Sequence, residues 1–362
     1  MADGIDSARM ERPDRIAYFD LLRLIAAAAV ITIHTVTDAI HGSSVFSEAW
    51  SAANVYNSLA RWAVPVFVMI SGALFLDPER PFDRRRFFRR HVLRLIVIYG
   101  VWSLLYAVVY TCFVKRDGWF LLPVRFVSGH YHLWFLLMIL CLYLATPLLR
   151  LFTRRREDAA FFLGLALLFT FLIPTAAELL RVTGTSFIRN DLIASAGQKL
   201  MWKANFHFTL GFTPYFVGGY YLHTARIGRK QEALVYLLGL AGLAATAGIS
   251  AFASRLSGVL DDRFYEFDML HTMCVSAAVF VFAKQRLRRL ASRPWVKAAS
   301  KLSFGVYLVH VFVLDALRAC LPETVLSHPW AGTPLTVCAV LALSMEITWC
   351  LKRIPVIGGY LL

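Results

Sequence analysis

Residues 15–37, RIAYFDLLRLIAAAAVITIHTVT, form an apolar run long enough to cross a bilayer, yet the run contains Asp20, Arg23 and His34. Ionisable side chains are costly in hydrocarbon, so they are expected to face the interior of a helix bundle. Arg23 and His34 are eleven positions apart, which is about three helical turns and roughly 16 Å of rise on nearly the same face. Asp20 lies one turn before Arg23 on the same side. The run therefore predicts a transmembrane helix with a polar stripe directed from one membrane surface towards the other.

The composition extends this prediction to the whole chain. Of its 362 residues, 58% are hydrophobic, and the mean hydropathy is +0.59. A soluble domain of this length would be more polar, so we expect an all-α polytopic membrane protein. The net charge of +15 lies mainly in short loops between apolar runs, as the positive-inside rule describes. We therefore expect the lipid bilayer, and no nucleic acid, as the partner of these charges.

Hydropathy predicts about ten spans, each near the roughly 20 residues that a bilayer requires. Their expected limits are 16–36, 59–76, 91–113, 132–152, 159–180, 206–224, 233–254, 267–283, 302–321 and 333–351. Lys and Arg are concentrated in alternate loops, which predicts that both termini are cytoplasmic. The expected organisation is a cytoplasmic tail over 1–15, one transmembrane domain over 16–353 and a short cytoplasmic tail over 354–362.

Several classes of feature are not indicated by the sequence. The first apolar run has no small-residue cleavage site, so no removable signal peptide is expected. The six cysteines show no metal-binding spacing, and neither a metal centre nor a structural disulfide is expected. No internal repeat is visible, which disfavours the repeat-built transporters. The sequence does not indicate an oligomeric state.

The polar stripe has two interpretations. In the first, Arg23 snorkels to the inner surface and pairs with Asp20, while His34 is a polar residue near the outer interface. In the second, His34 is a general base, because an imidazole suits proton abstraction at neutral pH. Arg23 would then bind an anionic group that arrives from the cytoplasm.

Residues 83–94, DRRRFFRRHVLR, form a basic cluster at the inner start of the third span. Such a cluster usually anchors a helix on anionic lipid. The alternative is a clamp for the phosphates of a nucleotide-containing donor. Arg94 is the main candidate in that case, because it lies just inside the apolar run, and Arg90 is a second candidate.

The other candidate residues lie near the outer surface. Arg61 precedes Pro65, whose freed carbonyls are tolerated against protein or a water-lined cavity. His132 and Trp134 open the fourth span, where aromatic residues also form the interfacial belt. Tyr307 and His310 share one face of the ninth span with Ser303, as an interhelical hydrogen-bond chain or as part of a site. Asp20, Arg61, His132, Trp134, Tyr307 and His310 are the possible substrate-binding residues.

Four local patterns together resemble the acyltransferase 3 family of bacterial inner-membrane O-acyltransferases. They are FDLLRLIAAAAVITIH, RWAVPVFVMISG, HLWFLLMILCLYLATPLL and SFGVYLVH. The first has Arg23 and His34 at the family's Arg-x10-His spacing. The family also has an Arg-x-x-Arg pair at the third span, where this chain has His91-Val-Leu-Arg94, with Arg90 one position away.

The resemblance implies transfer of an acyl group, most often acetyl from acetyl-CoA, to a hydroxyl of a surface polysaccharide or a lipid-linked glycan. It implies that His34 is the catalytic histidine, acting as a base or as an acyl carrier. It further implies that Arg23, Arg94 and Arg90 contact the acyl-CoA, with no permanently bound cofactor. A transporter or flippase of a lipid-linked glycan is the alternative from another class, and a purely structural membrane partner is a third.

Overall fold

The computed structural model describes residues 15–115, 118–183, 211–320, 328–355 and 357–362, and these residues contain helices and no strand. The α-helices before residue 184 are α1 Ala17–Gly42, α2 Glu48–Ala60, α3 Ala63–Phe75, α4 Arg84–Phe87, α5 Leu93–Val109, α6 Leu122–Ser128, α7 Trp134–Phe152, α8 Arg156–Ala166 and α9 Ile173–Thr183. Those that follow are α10 Thr213–Thr224, α11 Arg229–Ser257, α12 Leu270–Arg286, α13 Arg288–Ala291, α14 Pro294–Ser300, α15 Ser303–Cys320 and α16 Gly332–Lys352.

Nine helical stretches among these residues are long and apolar enough to cross a membrane. They are Ala17–Gly42, Glu48–Phe75, Arg84–Val114, Trp119–Phe152, Arg156–Thr183, Arg229–Ser257, Arg263–Arg286, Ser303–Cys320 and Gly332–Leu351. The prediction of an all-α polytopic membrane protein is confirmed. The predicted sixth span, 206–224, begins outside the described residues, and α10 is its described part. Residues 1–14 of the predicted N-terminal tail also lie outside them.

The expected spans 16–36 and 59–76 leave residues 37–58 as a connection between them, but most of this connection is helical. Helix α1 continues to Gly42, and α2 begins at Glu48 after Ser47, whose hydroxyl accepts a hydrogen bond from the Trp50 amide at 3.1 Å. The segment looks polar in sequence, but Asn54 is buried and hydrogen-bonded to the Ala247 carbonyl oxygen at 3.0 Å. Polar side chains with such partners can stay inside a helix bundle.

Helix α1 lies at the centre of the bundle. It contacts α2, α3, α12, α13, α14, α15 and α16. Small residues permit a close approach between α3 and α10. A β-carbon on Gly72 would lie 1.7 Å from the Phe216 carbonyl oxygen, and one on Gly219 would lie 2.0 Å from the Met69 carbonyl oxygen. The two backbones therefore touch only because glycine occupies both positions.

Candidate functional site

A cavity of about 260 Å³ lies beside α1, between α3, α5, α7 and α15. Most of its lining is apolar, with a few polar groups at intervals. The lining residues are Arg23, Val30, His34, Val64, Phe67, Ile70, Ser71, Leu74, Phe75, Leu95, His132, Trp134, Phe135, Leu136, Ile139, Tyr143, Ser303, Phe304 and Tyr307. A mostly apolar cavity with a few convergent polar groups is the usual form of a small-molecule site.

Arg23 and His34 both line this cavity, with Val30 between them on the same helix. All three are within the uninterrupted helix α1, so their spacing along the axis follows from the helical rise. Arg23 and His34 are thus separated by roughly 16 Å along the helix. The polar stripe predicted from the sequence faces one cavity along its length.

At one end of the cavity, Arg23 shares a single carboxylate with a second arginine. The guanidinium of Arg23 is 3.4 Å from Asp20 Oδ1, and that of Arg15 is 2.5 Å from Asp20 Oδ2. Asp20 is 7% exposed and is not part of the cavity wall. The predicted pairing of Arg23 with Asp20 is confirmed. Because one carboxylate faces two guanidinium groups, net positive charge remains at this end of the cavity, where it favours an anionic ligand.

At the other end, the His34 imidazole is partly exposed to the cavity. Its ring centroid lies 5.2 Å from that of Tyr131 and 5.2 Å from that of His310. The side chain of His34 makes no hydrogen bond to any residue within the described part of the chain. Both ring nitrogens are therefore open to a substrate, and in the neutral ring one of them can accept a proton while the other donates.

The backbone around His34 is held by Arg318 of α15. The Arg318 guanidinium donates to the carbonyl oxygens of His34 at 3.1 Å and Thr35 at 3.2 Å, and it pairs with Asp38 at 3.0 Å. These contacts fix the height of His34 relative to α15. Sequence reasoning missed Arg318, although an arginine late in the ninth span was a visible signal.

The other expected substrate-binding residues divide into two groups. His132, Trp134 and Tyr307 line the cavity, and the Tyr307 hydroxyl donates to the His132 carbonyl oxygen at 2.8 Å. His310 is fully buried behind the cavity wall. Arg61 also lies outside the wall, with its guanidinium 5.0 Å from the Tyr265 ring centroid and 5.9 Å from that of Phe267.

The arginines expected to clamp the donor lie elsewhere. Arg90 and Arg94 are exposed, neither lines the cavity, and Arg94 donates to the Leu362 carbonyl oxygen at 3.0 Å. Leu95, the next residue, does face the cavity. His91 packs against Phe75, with ring centroids 4.9 Å apart. On α5 the residue that faces the cavity is Leu95, and the neighbouring Arg94 does not line it.

The aromatic wall was only partly visible in the sequence. Phe67 of α3 and Phe135 of α7 approach across the cavity with ring centroids 6.0 Å apart, and Tyr143 lines the Arg23 end. All three belong to apolar runs, and nothing in the local sequence distinguishes the residues that line the cavity from those that face lipid. No group of His, Cys, Asp or Glu side chains in the described ranges has an arrangement that could hold a metal ion.

The family model described as "Acyltransferase domain", Acyl_transf_3, matches residues 16–351. The chain belongs to the acyltransferase 3 family. Since the match covers nearly the whole chain, this membrane protein is an acyltransferase. No curated protein and no solved structure matches the chain significantly.

Proposed function

We propose that the protein transfers an acyl group, most simply acetyl, from a cytoplasmic acyl-CoA to a hydroxyl of a surface polysaccharide or a lipid-linked glycan precursor in a bacterial inner membrane. The observation that carries the proposal is the single cavity that has Arg23 at one end and His34 at the other. The family match supports acyl transfer, and the cavity supports a route for the acyl donor through the bundle.

The donor is proposed to enter at the Arg23 end. The basic segment that contains Arg90 and Arg94 precedes and begins α5, so it lies at the membrane boundary if the termini are cytoplasmic. Such exposed charge raises the local concentration of a polyanionic CoA. Arg23, which is only partly neutralised by Asp20, then binds an anionic part of the donor. The apolar wall between Arg23 and His34 holds the uncharged arm that carries the thioester.

The chemistry is proposed to take place at His34. A nitrogen of His34 accepts the proton of the acceptor hydroxyl as the hydroxyl oxygen attacks the thioester carbonyl carbon. A carbon–oxygen bond forms, the carbon–sulfur bond breaks, and CoA leaves as a thiolate that is protonated by water. Trp134 and Tyr307 face the same space and are candidates for contacts with the acceptor, since aromatic side chains pack against the apolar faces of sugar rings.

The test is acyl transfer in inverted membrane vesicles supplied with acetyl-CoA labelled in the acetyl group. Label should reach glycan or lipid-linked glycan with the wild-type protein, and it should be lost with His34→Ala and with Arg23→Ala at equal amounts of inserted protein. His41→Ala is the matched control, because His41 is an exposed histidine in the last turn of the same helix. Loss of a general base reduces rates by about 10²- to 10⁴-fold.

Two results would contradict the proposal. Wild-type transfer by His34→Ala would remove His34 from the mechanism. No transfer by any protein, with host glycan present and with no thermal stabilisation by acetyl-CoA, would remove acyl-CoA as the donor. A ligand that binds only the folded state must raise the unfolding temperature.

A further inference from the structure

Four histidines form a row beside the cavity, and His132 lines the cavity as His34 does. Ring centroids are 5.2 Å apart from His34 to His310, 5.4 Å from His310 to His132, and 5.2 Å from His132 to His130. The Nδ1 atoms of His130 and His132 are 3.0 Å apart, at hydrogen-bond distance. His34 faces the cavity, His310 and His132 are buried, and His130 is partly exposed. The row therefore connects the candidate reaction site with a less buried position.

Hydrogen bonding fixes the protonation pattern of His310. Its Nδ1 lies 2.7 Å from the carbonyl oxygen of Tyr307. A carbonyl oxygen can only accept, so Nδ1 carries the hydrogen, and in the neutral ring Nε2 carries the lone pair. The Tyr307 carbonyl oxygen also stabilises the positive charge of His310 when the ring gains a second proton. Active sites with a nucleophile and a base use a third group to orient the base in the same way.

The second nitrogen of His310 has no partner. Nε2 of His310 and Nε2 of His132 are both buried and form no hydrogen bond in the structure. His310 is 0% exposed and His132 is 2% exposed. An unsatisfied buried polar group calls for a physical reason, and a catalytic role is one. The free Nε2 of His310, on the ring beside His34, is in a position to accept a proton from it.

We propose that His310 accepts the proton that His34 takes from the acceptor hydroxyl, and that His132 and His130 carry it on towards the side of the membrane opposite to Arg23. The proposal rests on acyl transfer at His34. In the transfer step the hydroxyl proton moves to His34, the carbon–oxygen bond forms, and sulfur leaves as thiolate. The proton then passes from His34 to Nε2 of His310, while the thiolate is protonated by water at the donor side. His310 acts only through His34 and does not itself touch the substrate.

Charged groups lie near the His34 end of the row. Arg318 binds the backbone beside His34 and is paired with Asp38. The distance from His34 to His310 permits a hydrogen bond between ring nitrogens after rotation about the broad χ2 torsion of His34. The other ionisable groups packed around the row are Tyr106, Tyr110, Tyr131, Tyr307 and Asp315, and the carboxylate of Asp315 is bonded to the hydroxyl of Tyr110.

The deciding variant is His310→Asn, because the Asn amide can still donate to the Tyr307 carbonyl oxygen but offers no basic nitrogen at the position of Nε2. His310→Gln is measured beside it, so that a folding defect in one variant does not decide the outcome. The matched control is His271→Gln, since His271 is also buried and Nε2 donates to the Phe264 carbonyl oxygen at 2.7 Å, but His271 lies outside the row.

Transfer of labelled acetyl from acetyl-CoA to host glycan is measured in H₂O and D₂O, per amount of folded protein. We expect His310→Asn and His310→Gln to lower kcat by about 100-fold or more, to leave KM for acetyl-CoA unchanged and to alter the solvent isotope effect on kcat. The control should keep the wild-type isotope effect.

The proposal is overturned if both His310 variants keep the wild-type kcat and isotope effect, or if they raise KM alone. Failure of the proposed function looks different. In that case the wild-type protein transfers no acetyl, or His34→Ala transfers it at the wild-type rate. If His34→Ala is inactive while the His310 variants are unaffected, acyl transfer at His34 stands and only the histidine row is excluded.

Discussion

Substitution of Gly219 by alanine should destabilise the bundle and displace the cavity wall without touching the cavity. A β-carbon at this position would lie 2.0 Å from the Met69 carbonyl oxygen and 2.4 Å from the Met69 α-carbon, whereas ordinary contact begins at 3.4 Å. Both atoms belong to the backbone, so no change of rotamer can relieve the overlap. Helices α3 and α10 would have to separate by more than about 1 Å, and overpacking of this kind costs about 1–3 kcal/mol.

The expected result is a lower unfolding temperature together with a disproportionate loss of acyl transfer. Helix α3 supplies one cavity wall through Val64, Phe67, Ile70, Ser71, Leu74 and Phe75. A misplacement of roughly 1 Å at a reacting site can reduce the rate by about 100-fold. The measurements are thermal unfolding of the detergent-solubilised protein and acetyl transfer in vesicles.

The matched control is Gly248→Ala in α11. This position is exposed, and an added β-carbon would meet nothing within 4 Å. Alanine is favoured over glycine in a helix interior by up to about 1 kcal/mol, so this variant should be as stable as the wild type or more stable. An unfolding temperature for Gly219→Ala at or above that of the wild type would refute the close α3–α10 contact and the reasoning drawn from it.

Two further outcomes are expected. Val30→Trp places an indole on α1 between the two ends of the cavity, so acetyl-CoA should no longer raise the unfolding temperature of this variant. The control is Val101→Trp, at an exposed position of α5, which acetyl-CoA should still stabilise. Equal stabilisation of both variants would contradict donor binding in the cavity. Arg318→Gln removes charge-assisted hydrogen bonds to the carbonyl oxygens beside His34, each worth about 1.5–3 kcal/mol. Its unfolding temperature and kcat should both fall, and an unchanged unfolding temperature would argue against the tie between α1 and α15.

The membrane helices were largely predictable because hydropathy is a property of each segment alone. The start of α2 at Glu48 was not predictable, because Asn54 gives that segment a polar appearance. In the structure Asn54 is bonded to Ala247 and accepts from the Tyr265 hydroxyl at 2.6 Å. These partners are about 200 residues away in sequence, so the local composition cannot show that the Asn54 side chain is hydrogen-bonded inside the bundle.

The polar stripe on α1 was predictable because both its ends belong to one helix. Contributions from other helices depend on how each helix is rotated about its axis, and one position changes the direction by about 100°. That is why Arg94 was a candidate for the site although Leu95 is the residue that faces the cavity. The number of basic residues near the membrane boundary marks a segment of the chain and carries no information on the rotation of its helix.

The same reasoning explains the different positions of Tyr307 and His310. Residues three positions apart on a helix point about 60° apart, so one face can serve two neighbours. Tyr307 lines the cavity and bonds to His132, while His310 packs beside His34.

The small residues of α1 account for that approach. Ala27 is buried in one cluster with Ile31 of α1 and with Val306 and Val313 of α15. Further along the same two helices, the ring centroids of His34 and His310 lie 5.2 Å apart. A larger residue at position 27 would crowd the packing between α1 and α15 and should move His34 relative to His310. Ala27, which the sequence marks only as room for a neighbouring helix, thus belongs to the packing between the two helices that carry the proposed proton transfer.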